Sequence, residues 1–544
     1  MSRARGYRWA GAQNLLFELD SLDDVLALHA CLRDQPLPGQ IDLVPAACTL
    51  LIKYDTYKHA AQAAERVLAI DAAPVAADSG RVHEIEVIYD GEDLADVAEQ
   101  TGLASDAVIE AHTRQSWRAA FSGFAPGFVY LVGDDERLKV SRRDSPRTAV
   151  PPGAVGLAGA FSAIYPRESP GGWQLIGRTN APIWDLEREP PALIQAGDTI
   201  RYIAVEAFSA STTPSNEPET LAPTQAERVI EITAPGMQSL IQDLGRPGLA
   251  HLGVAASGAA DEPAFRQANR LVGNLPGEAV IETVLGGLAL TARGNLVLAR
   301  TGAHGPADIR SPQGARTAPA CAPFALHDGE TLTLSAPEAG LRSYLAVRGG
   351  LDIAPVLHSR SRDALAGIGP KPLAAGDMLP VAPAGVSHVV GQPEPSALAA
   401  PADDGITVLR VVLGPRDDWF DADTLARLTR LTWQPSQQSN RVGLRLNVHN
   451  PANNPADDDG RLQRAREGEL PSEGCVAGAI QVPPSGQPVL FLKDHPVTGG
   501  YPVIGVVWPS DLSRAAQLAP GQPLRFAIVT PDGQPVAPAQ GSNP

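Results

Sequence analysis

The first 80 residues alternate between continuous apolar runs and segments with helical spacing. NLLFEL predicts a strand, and SLDDVLALHACLRD predicts a helix that begins after an N-cap at Ser21. IDLVPAACTLLIKYD (residues 41–55) predicts one further strand, and AAQAAERVLAI predicts a second helix. This β-α-β-α order predicts a small α+β domain at residues 1–80.

Beyond residue 80 the pattern changes to short strands. RVHEIEVIYDG predicts a strand, DLADVAEQTG and SDAVIEAHTR predict two short helices, and after Ser122 strand-like runs alternate with turns. The 52 Gly and 50 Pro, with only 5% aromatic residues, favour many short strands and turns over long helices. The predicted fold class is therefore mainly β with an N-terminal α+β domain.

A double-glycine segment occurs twice. ESPGGWQLIGRT (168–179) and HPVTGGYPVIGVV (495–507) share two glycines, an aromatic residue and a following apolar Ile-Gly strand. Each is preceded by Val-Pro-Pro and followed by a Gly turn with an aliphatic residue, Arg and an aromatic residue, in GDTIRYIAV and GQPLRFAIV. Three landmarks in the same order predict two or three β-barrel-like units, because closure into barrels removes exposed strand edges.

Two polar, Pro-rich segments, SASTTPSNEPETLAPTQAE and GQPEPSALAAPADDG, have the composition of linkers. They predict seven regions along the chain: a small α+β domain (1–80), a β-barrel (81–208), a linker (209–227), a β-rich domain (228–390), a second linker (391–405), a second β-barrel (406–530) and a disordered tail (531–544).

Composition narrows the class of partner. The net charge of −17 argues against binding to nucleic acid or to membrane surfaces, since both need a basic surface. The four cysteines are widely scattered, so the sequence signals neither a zinc site nor a disulfide framework. Without a signal peptide or an apolar run of about 18 residues, a cytoplasmic protein is expected.

Longer motifs carry a family resemblance. The segment 123–179, GFAPGFVYLVGDDERLKV onward, resembles the B subunit of 5-oxoprolinase, also described as a Kip kinase inhibitor and allophanate-hydrolase subunit 1. The segment 237–274, MQSLIQDLGRPGLAHLGV onward, resembles the C subunit of the same enzyme, and so do SYLAVRGGLD, SQQSNRVGLRL and GAIQVPPSGQPVLFLKD. The resemblance implies a B–C fusion with cyclophilin-like β-barrels in both halves. The same pair forms the carboxyltransferase part of urea carboxylase.

The resemblance implies three functions. The first is ATP-dependent opening of 5-oxoproline to glutamate with a separate A subunit of 5-oxoprolinase. The second is carboxyl transfer from biotin to a urea-type amide, and the third is Kip-like binding of a sensor kinase. The chain has no biotinyl Met-Lys-Met, no G-x-x-x-x-G-K-[ST] and no G-x-S-x-G motif, which favours the first function. ATP, with Mg²⁺, is then the expected cofactor at an unidentified site, biotin is not covalently attached, and homo-oligomers remain possible.

Basic residues near the motifs are candidates for binding phosphate or a carboxylate. Arg142, Arg143 and Arg147 are the densest group, just before VPPG. Arg178 and Arg441 are further candidates, although either could instead pin a loop by donating to backbone carbonyls. Activation of a lactam carbonyl would need such fixed cations.

The strongest acid/base candidates are Lys493, Asp494 and His495, which end the strand PVLFL beside the second double glycine. Asp494 is the first choice for catalysis, and the alternative is a charged turn of a solvated hairpin. Five further residues complete the predicted site. They are Tyr501 as a donor to a carbonyl oxygen, Ser439 and Gln481 as polar contacts, and Gly499 with Gly500 as the point of close approach.

Four more residues have a packing interpretation beside the functional one. His112 ends a helix, where a C-terminal cap is expected more often than a base. Phe124, Phe128 and Tyr130 in FAPGFVYL could wall a small pocket, but core packing is expected.

Overall fold

The computed structural model describes residues 4–73, 80–143, 145, 147–209, 226–385, 389–398, 404–449 and 460–536. Most of the predicted first linker and tail, and part of the second linker, lie outside the described residues. None of the helices within these ranges is long and apolar enough to cross a membrane. The predicted fold class is confirmed, since sheets and barrels dominate and helices cover an N-terminal sheet.

The N-terminal domain is a four-stranded antiparallel sheet in the order β1-β2-β4-β3. Its elements are β1 (Gly6–Trp9), β2 (Asn14–Glu18), α1 (Leu22–Asp34), β3 (Gln40–Pro45), β4 (Thr49–Tyr54) and α2 (Tyr57–Leu68). Ser21 caps α1 as predicted, accepting from the Asp24 N–H. The prediction of one strand at 41–55 is wrong, because the chain turns after Pro45 and the two halves pair as a hairpin.

The sheet has two buried faces. Leu15, Phe17 and Ile52 pack against the two helices in one core. Leu16 and Leu51 point to the opposite face and pack against residues of the C-terminal half. Because successive side chains of a strand point to opposite faces, one set of residues fills the domain's own core and the other set contacts the rest of the molecule.

The first barrel follows. Its elements are β5 (Val82–Val87), α3 (Leu94–Thr101), α4 (Ser105–Arg114), β6 (Trp117–Ser122), β7 (Val129–Val132), β8 (Arg147–Val150), β9 (Ala154–Ala158), β10 (Phe161–Ile164), β11 (Ser169–Gly171), β12 (Gln174–Arg178) and β13 (Thr199–Ala204). Seven strands form a sheet in the order β12-β9-β10-β7-β6-β13-β5, and β8 pairs separately with β11. A single bridge between Ile88 and Arg178 joins the two ends of the sheet.

The middle region is two sheets around a shared core. Its elements are β14 (Val229–Pro235), β15 (Gln238–Gln242), α5 (Glu262–Val272), β16 (Val280–Val284), β17 (Leu288–Arg293), β18 (Leu296–His304), β19 (Ala307–Ser311), β20 (Gly314–Thr317), β21 (Pro323–Leu326), β22 (Thr331–Leu334), β23 (Ala339–Val347) and β24 (Met378–Pro380). The sheet orders are β20-β19-β22-β17-β14-β24 and β15-β16-β23-β18-β21. Their apolar faces meet in one cluster, as in a sandwich.

The last region is a closed barrel in the order β25-β32-β29-β30-β27-β26-β33. Its elements are β25 (Thr407–Leu413), α6 (Ala422–Arg430), β26 (Trp433–Pro435), β27 (Gly443–Val448), β28 (Glu473–Gly474), β29 (Ala479–Gln481), β30 (Val489–Phe491), β31 (Thr498–Gly499), β32 (Val503–Val507), α7 (Leu512–Ala516) and β33 (Leu524–Ile528). The short strands β28 and β31 pair apart from the barrel.

The two barrels are copies of one topology. In each barrel the strand order can be written from the strand that follows the double glycine. The first barrel is then β12-β9-β10-β7-β6-β13-β5 and the second is β32-β29-β30-β27-β26-β33-β25, so each strand of one has a counterpart in the other. The closing strand runs parallel to the first strand in both, and a Trp begins the second strand of each, at Trp117 and Trp433. Each Trp donates its indole N–H to the carbonyl five residues earlier.

Two of the three repeated landmarks occupy equivalent places. The double glycines and the closing strands do, but Val-Pro-Pro does not. Val150 ends β8 and Pro151 precedes β9, whereas Val482 follows β29 and Pro483 leads toward β30. The Val-Pro-Pro match is therefore a coincidence of turns rather than part of the repeat.

Candidate functional site at the domain junction

Each double glycine lies in a two-stranded ribbon at the rim of its barrel. Gly171 on β11 pairs with Arg147 on β8, and Gly499 on β31 pairs with Glu473 on β28. The equivalent neighbours of the two glycines therefore have opposite charge. Glycine's missing Cβ lets another group approach the backbone closely at such positions.

Arg142 and Arg143 join the two double-glycine turns. The guanidinium of Arg142 lies against Gly500, where a Cβ would clash with it, and Arg142 Nη2 donates to Ser472 Oγ at 3.0 Å. The backbone N–H of Arg143 donates to the Gly172 carbonyl at 2.8 Å. The second double glycine therefore accommodates an arginine from the other barrel.

Arg143 and Arg147 are held by a carboxylate of their own barrel. Both donate to Asp93, which also accepts from the Leu175 N–H at 2.7 Å. Burial favours the neutral acid, but the bond from Arg147 and the other contacts keep the pKa of Asp93 below its ordinary value.

Arg178 is an exposed residue. Its Nε donates to Asp90 at 2.9 Å and its guanidinium lies 5.5 Å from the ring centroid of Phe208. Together with Arg147 it lines an open cavity of about 490 Å³. Because Asp90 and Glu92 share this cavity and pair with the two arginines, it is not a strongly cationic pocket.

Asp494 and Arg441 form a buried ion pair at the junction of the second barrel and the sandwich. Arg441 Nε lies 2.9 Å from Asp494 Oδ2 and its Nη2 lies 3.0 Å from Oδ1, with both side chains almost fully buried. Ser257 Oγ and the Ala364 N–H donate to the same carboxylate at 2.6 and 2.9 Å. Asp494 is thus engaged on both oxygens by groups from two domains.

Glu282 completes this network from the sandwich. Arg441 Nη1 donates to it, as do the Tyr344 hydroxyl and the Ala260 N–H, at 2.8 and 2.9 Å. Burial alone would raise the pKa of Glu282, but Arg441 and Arg342 hold it below its ordinary value. Asp494 and Arg441 therefore hold the second barrel against the sandwich. The catalytic role predicted for Asp494 and the binding role predicted for Arg441 stay predictions.

Lys493 and His495, on either side of Asp494, have different surroundings. Lys493 keeps 29% of its side chain exposed, with Nζ 4.0 Å from Glu262, and burial lowers its pKa. His495 is buried, with Nδ1 2.8 Å from the Pro496 carbonyl and its ring 6.0 Å from that of Phe491. Burial, assisted by Lys53, lowers the pKa of His495 to about 3, so the ring is neutral.

The remaining predicted residues divide between the second double glycine and the turn that precedes β27. Gln481 Nε2 donates to the Tyr501 carbonyl at 3.3 Å, beside Gly499, and Arg464 lies 5.6 Å from the Tyr501 ring centroid. Ser439 accepts from the Arg445 N–H in the turn between β26 and β27. The structure therefore brings Gln481, Tyr501 and the double glycine together, while Ser439 lies in a different part of the barrel.

His112 is neither a cap nor an exposed base. It is fully buried in the first barrel, where Nδ1 lies 2.7 Å from the Tyr89 hydroxyl and Nε2 lies 3.0 Å from Ser162 Oγ. Burial lowers its pKa to about 3. The prediction of a C-terminal cap is wrong, because the side chain turns inward and stacks on Tyr202.

Residues of the FAPGFVYL loop pack in the core of the first barrel and also contact the second barrel. Phe128 and Tyr130 are buried in an aromatic cluster with Trp173, so the expected core packing is confirmed. Phe124, at φ 60°, donates its N–H to Thr498 Oγ1 at 2.8 Å. The loop of the first barrel therefore contacts the second double-glycine ribbon directly.

Sequence reasoning missed Glu282 and Ser257. A Glu in the mainly apolar strand VIETV is a usable signal, since a buried carboxylate needs a partner. Ser257 carried no such signal, although it adopts φ 54°, a strained conformation that clusters at functional sites.

Two family models match the chain in tandem. Residues 252–528, half of the chain, match the carboxyltransferase domain, subdomain A and B, and residues 6–194 match subdomain C and D. The chain belongs to the carboxyltransferase-domain family.

Relatives of this carboxyltransferase-domain protein match its halves separately. It is 35% identical to the C subunit of 5-oxoprolinase from Escherichia coli (strain K12), over 55% of this chain and 90% of that one. It is 37% identical to the B subunit of 5-oxoprolinase from Bacillus subtilis (strain 168), over 33% of this chain and 82% of that one. The urea amidolyase of Lachancea kluyveri is 29% identical over 55% of this chain and 17% of its own length.

A solved structure matches both halves within a single chain. The crystal structure of TTHA0988 is 33% identical, with a TM-score of 0.80, and the match covers 94% of this chain and 99% of that one. The predicted likeness to a fusion of the B and C subunits is confirmed. The two halves, which resemble separate proteins elsewhere, meet here through Arg142, Gly500 and the FAPGFVYL loop.

Proposed function

We propose that this protein is the B–C component of an ATP-dependent 5-oxoprolinase, opening the lactam of 5-oxo-L-proline to L-glutamate with a separate A subunit. The observation that carries the proposal is the tandem match, since one chain resembles both the B and the C subunits over most of their lengths. The contacts between Arg142 and the second double-glycine ribbon make the two halves one unit.

The proposed reacting region is the end of β30, where Lys493 follows Phe491 and Leu492. A lactam carbonyl is a poor electrophile, so its opening needs a cation or a proton donor at the carbonyl oxygen. Lys493 is partly exposed beside Glu262, and its lowered pKa makes proton transfer near neutral pH easier. Asp494, anchored by Arg441, fixes the position of the lysine that precedes it.

ATP, with Mg²⁺, belongs to the proposal as a co-substrate of the assembled enzyme. Arg147 and Arg178 line the 490 Å³ cavity, but Glu92 and Asp90 already pair with them, so a triphosphate fits that cavity poorly. Among the described residues no group of three His, Cys, Asp or Glu side chains could hold a metal ion. We therefore propose that the A subunit supplies the nucleotide site.

The test mixes the purified chain with the A subunit, 5-oxoproline, ATP and Mg²⁺ and measures glutamate and ADP. Glutamate and ADP should form together, and only when both proteins and 5-oxoproline are present. Lys493→Met should lower kcat by about two orders of magnitude, the usual scale for loss of an acid/base group. Lys58→Met, on the exposed surface of α2, is the matched control and should leave kcat unchanged. ADP formation that does not depend on 5-oxoproline would contradict the proposal.

A carboxyltransferase role is the second candidate, favoured by the description of the matching family and by the urea amidolyase relative. The same chain would then move a carboxyl group between a biotinylated carrier and a urea-type amide. Incubation with a carboxylated biotin carrier and urea, followed by assay of urea-dependent loss of the carboxyl group, tests it. A sensor-kinase regulator is the third hypothesis, and a regulator would give neither product.

A further inference from the structure

Three arginines from two halves of the chain converge on the loop 361–369 of the sandwich. Arg362 belongs to this loop and its Nη1 donates to the Gly367 and Gly369 carbonyls at 2.8 and 3.1 Å. Arg246 Nη2 donates to the Ser361 carbonyl. Arg167 reaches the loop from the first barrel, just before the first double glycine, and its guanidinium lies where a Cβ of Gly367 would be.

Several N–H groups of these arginines have no acceptor. Arg246 is 2% exposed, yet Nε and Nη1 lack a hydrogen-bond partner, and the buried Nε of Arg167 also lacks one. Within the described residues Arg167 makes no ion pair closer than 4 Å, although the charges of Asp363 and Glu168 act to raise its pKa. A buried donor without an acceptor costs about 1–3 kcal/mol, and more when it is charged, so these groups need an explanation.

The nearby carboxylates do not supply the missing acceptors. Asp494 is engaged by Arg441, Ser257 and the Ala364 N–H. Asp363 accepts from the Ala366 N–H at 2.8 Å through Oδ1. Burial, followed by the negative charge of Asp494, raises the pKa of Asp363 to about 6, and Asp363 attracts the three arginines without accepting a hydrogen bond from any of them.

Two pairs of these cations repel each other, Arg246 with Arg362 and Arg167 with Arg362, while the charges of Asp363 and Asp494 act on Arg246 and Arg362 in the opposite direction. The charge of Arg362 lowers the pKa of Arg246, and the charge of Arg167 lowers the pKa of Arg362. Burial lowers the pKa of all three as well. Planar guanidinium groups that converge with unused N–H donors are suited to binding a carboxylate or a phosphate.

We propose that Arg167, Arg246 and Arg362 form a binding site for a small oxyanion, the carboxylate of the substrate acid. The oxyanion accepts from the unused N–H groups and relieves the repulsion between the cations. The site is composite, because Arg167 lies in the B-like half of the chain and the other two arginines lie in the C-like half. The identity of the acid as 5-oxoproline rests on the proposed function, whereas the oxyanion site does not.

Isothermal titration calorimetry on the full chain alone, without the A subunit, tests the site. The probes are 5-oxoproline, 2-pyrrolidone as the same lactam without its carboxylate, and inorganic phosphate. We expect 5-oxoproline to bind at least tenfold more tightly than 2-pyrrolidone, the factor that one charge-assisted hydrogen bond provides. Tight phosphate binding without 5-oxoproline binding would overturn the carboxylate assignment, and binding of neither anion would overturn the site.

Two variants locate the binding. Arg167→Gln should weaken 5-oxoproline binding about tenfold or more while leaving Tm unchanged or higher, since Arg167 is half-buried and its loss breaks no ion pair closer than 4 Å. Arg246→Gln should weaken binding at least as much, and its folding is checked by circular dichroism. Arg293→Gln, an exposed residue paired with Glu231 elsewhere in the sandwich, is the control and should bind normally.

The outcomes separate this inference from the proposed function. Unchanged 5-oxoproline affinity in Arg167→Gln would overturn the composite site even if the assembled enzyme turns over 5-oxoproline. Arginine-dependent 5-oxoproline binding without turnover, conversely, would support the site and count against the 5-oxoprolinase assignment.

Discussion

The two barrels share a strand order but differ in the charge at their rims. In the first barrel the carboxylate of Asp93 follows the first strand and binds Arg147, the partner of Gly171. In the second barrel the polarity is reversed, since Arg416 follows the first strand and binds Glu473, the partner of Gly499. Strand order and apolar positions therefore determine this fold, while the sign of each charge in the rim pair is free to change.

The interiors differ as well. His112 and Tyr202 form a hydrogen-bonded cluster with Ser162 inside the first barrel. In the second barrel Leu428 takes the place of His112, since each supplies the carbonyl that accepts from the Trp indole. Phe526 takes the place of Tyr202 on the closing strand, as the pairing of that strand with the Trp strand shows. Closure differs too, because β25 and β32 pair through three residues whereas one bridge closes the first barrel. The second barrel is thus the more apolar copy at these interior positions.

The largest expected effect is at the charged junction of the second barrel. Asp494→Ala leaves the guanidinium of Arg441 buried with Glu282 as its remaining carboxylate partner. Breaking a buried pair by removing one partner costs about 3–5 kcal/mol, and urea-induced unfolding should show a loss of that size.

The control for Asp494 is the double variant Asp494→Leu with Arg441→Met, which removes both charges. It should recover only part of the loss, because the guanidinium of Arg441 is gone but Glu282 then keeps Arg342 as its remaining cation. A loss below about 1 kcal/mol in Asp494→Ala would mean that this junction is solvated and would return Asp494 to the acid/base role.

A pH dependence distinguishes the barrel interiors. His112 has a pKa of about 3 in the folded protein against 6.5 for the free side chain. The unfolded chain therefore binds one more proton between these values, and His112 contributes stability above pH 6.5 that is lost as pH falls toward 3. The slope is about 1.4 kcal/mol for each pH unit.

His112→Leu makes the first barrel resemble the second at the position of Leu428. We expect a loss of about 2 kcal/mol at pH 7, because the Tyr89 hydroxyl loses its partner. The fall in unfolding free energy between about pH 6.5 and 4.5 should shrink by about 2–3 kcal/mol, while His495 continues to contribute its own part. An unchanged pH slope would show that His112 is protonated in the folded state.

The two rim pairs, Arg147 with Asp93 and Glu473 with Arg416, can be compared by removing one member of each. Arg147→Met leaves Asp93 with Arg143, and Glu473→Met leaves Arg416 with Glu18. Each variant should lose about 2 kcal/mol in denaturant unfolding, since one charge-assisted hydrogen bond is lost and one partner remains. A loss confined to one barrel would show that the pairs are not equivalent in energy despite their equivalent places.

The smallest expected effect is at Arg178. This residue is half exposed and pairs with an exposed Asp90, so Arg178→Gln should change stability by less than about 0.5 kcal/mol. The same variant tests the predicted phosphate-binding role. A rise in the KM for ATP in the reconstituted reaction, with unchanged stability, would support that role.

Local signals in the sequence predicted the repeat well. The double glycines and the closing strands GDTIRYIAV and GQPLRFAIV occupy equivalent places, because turn chemistry and strand alternation are short-range properties. The hairpin at 41–55 was read as one strand, since the turn after Pro45 contains Ala, Ala and Cys rather than Gly or Asn.

The contacts of the candidate site could not be predicted from local sequence signals. Arg441 and Asp494 were each singled out, but their pairing joins residues 53 positions apart, and Ser257 and Glu282 come from another domain. The convergence of Arg167 with Arg246 and Arg362 depends on how separate domains pack. Nothing local to those arginines marks them among the many others in the chain.

Gly500 also bears on why the two halves occur in one polypeptide. A side chain there would displace the guanidinium end of Arg142 and so remove one contact between the halves. In one chain the halves meet at a high effective concentration, which tolerates a weak fit. Produced as two pieces, residues 1–209 and 226–544, they would have to associate by mass action, without that gain in effective concentration.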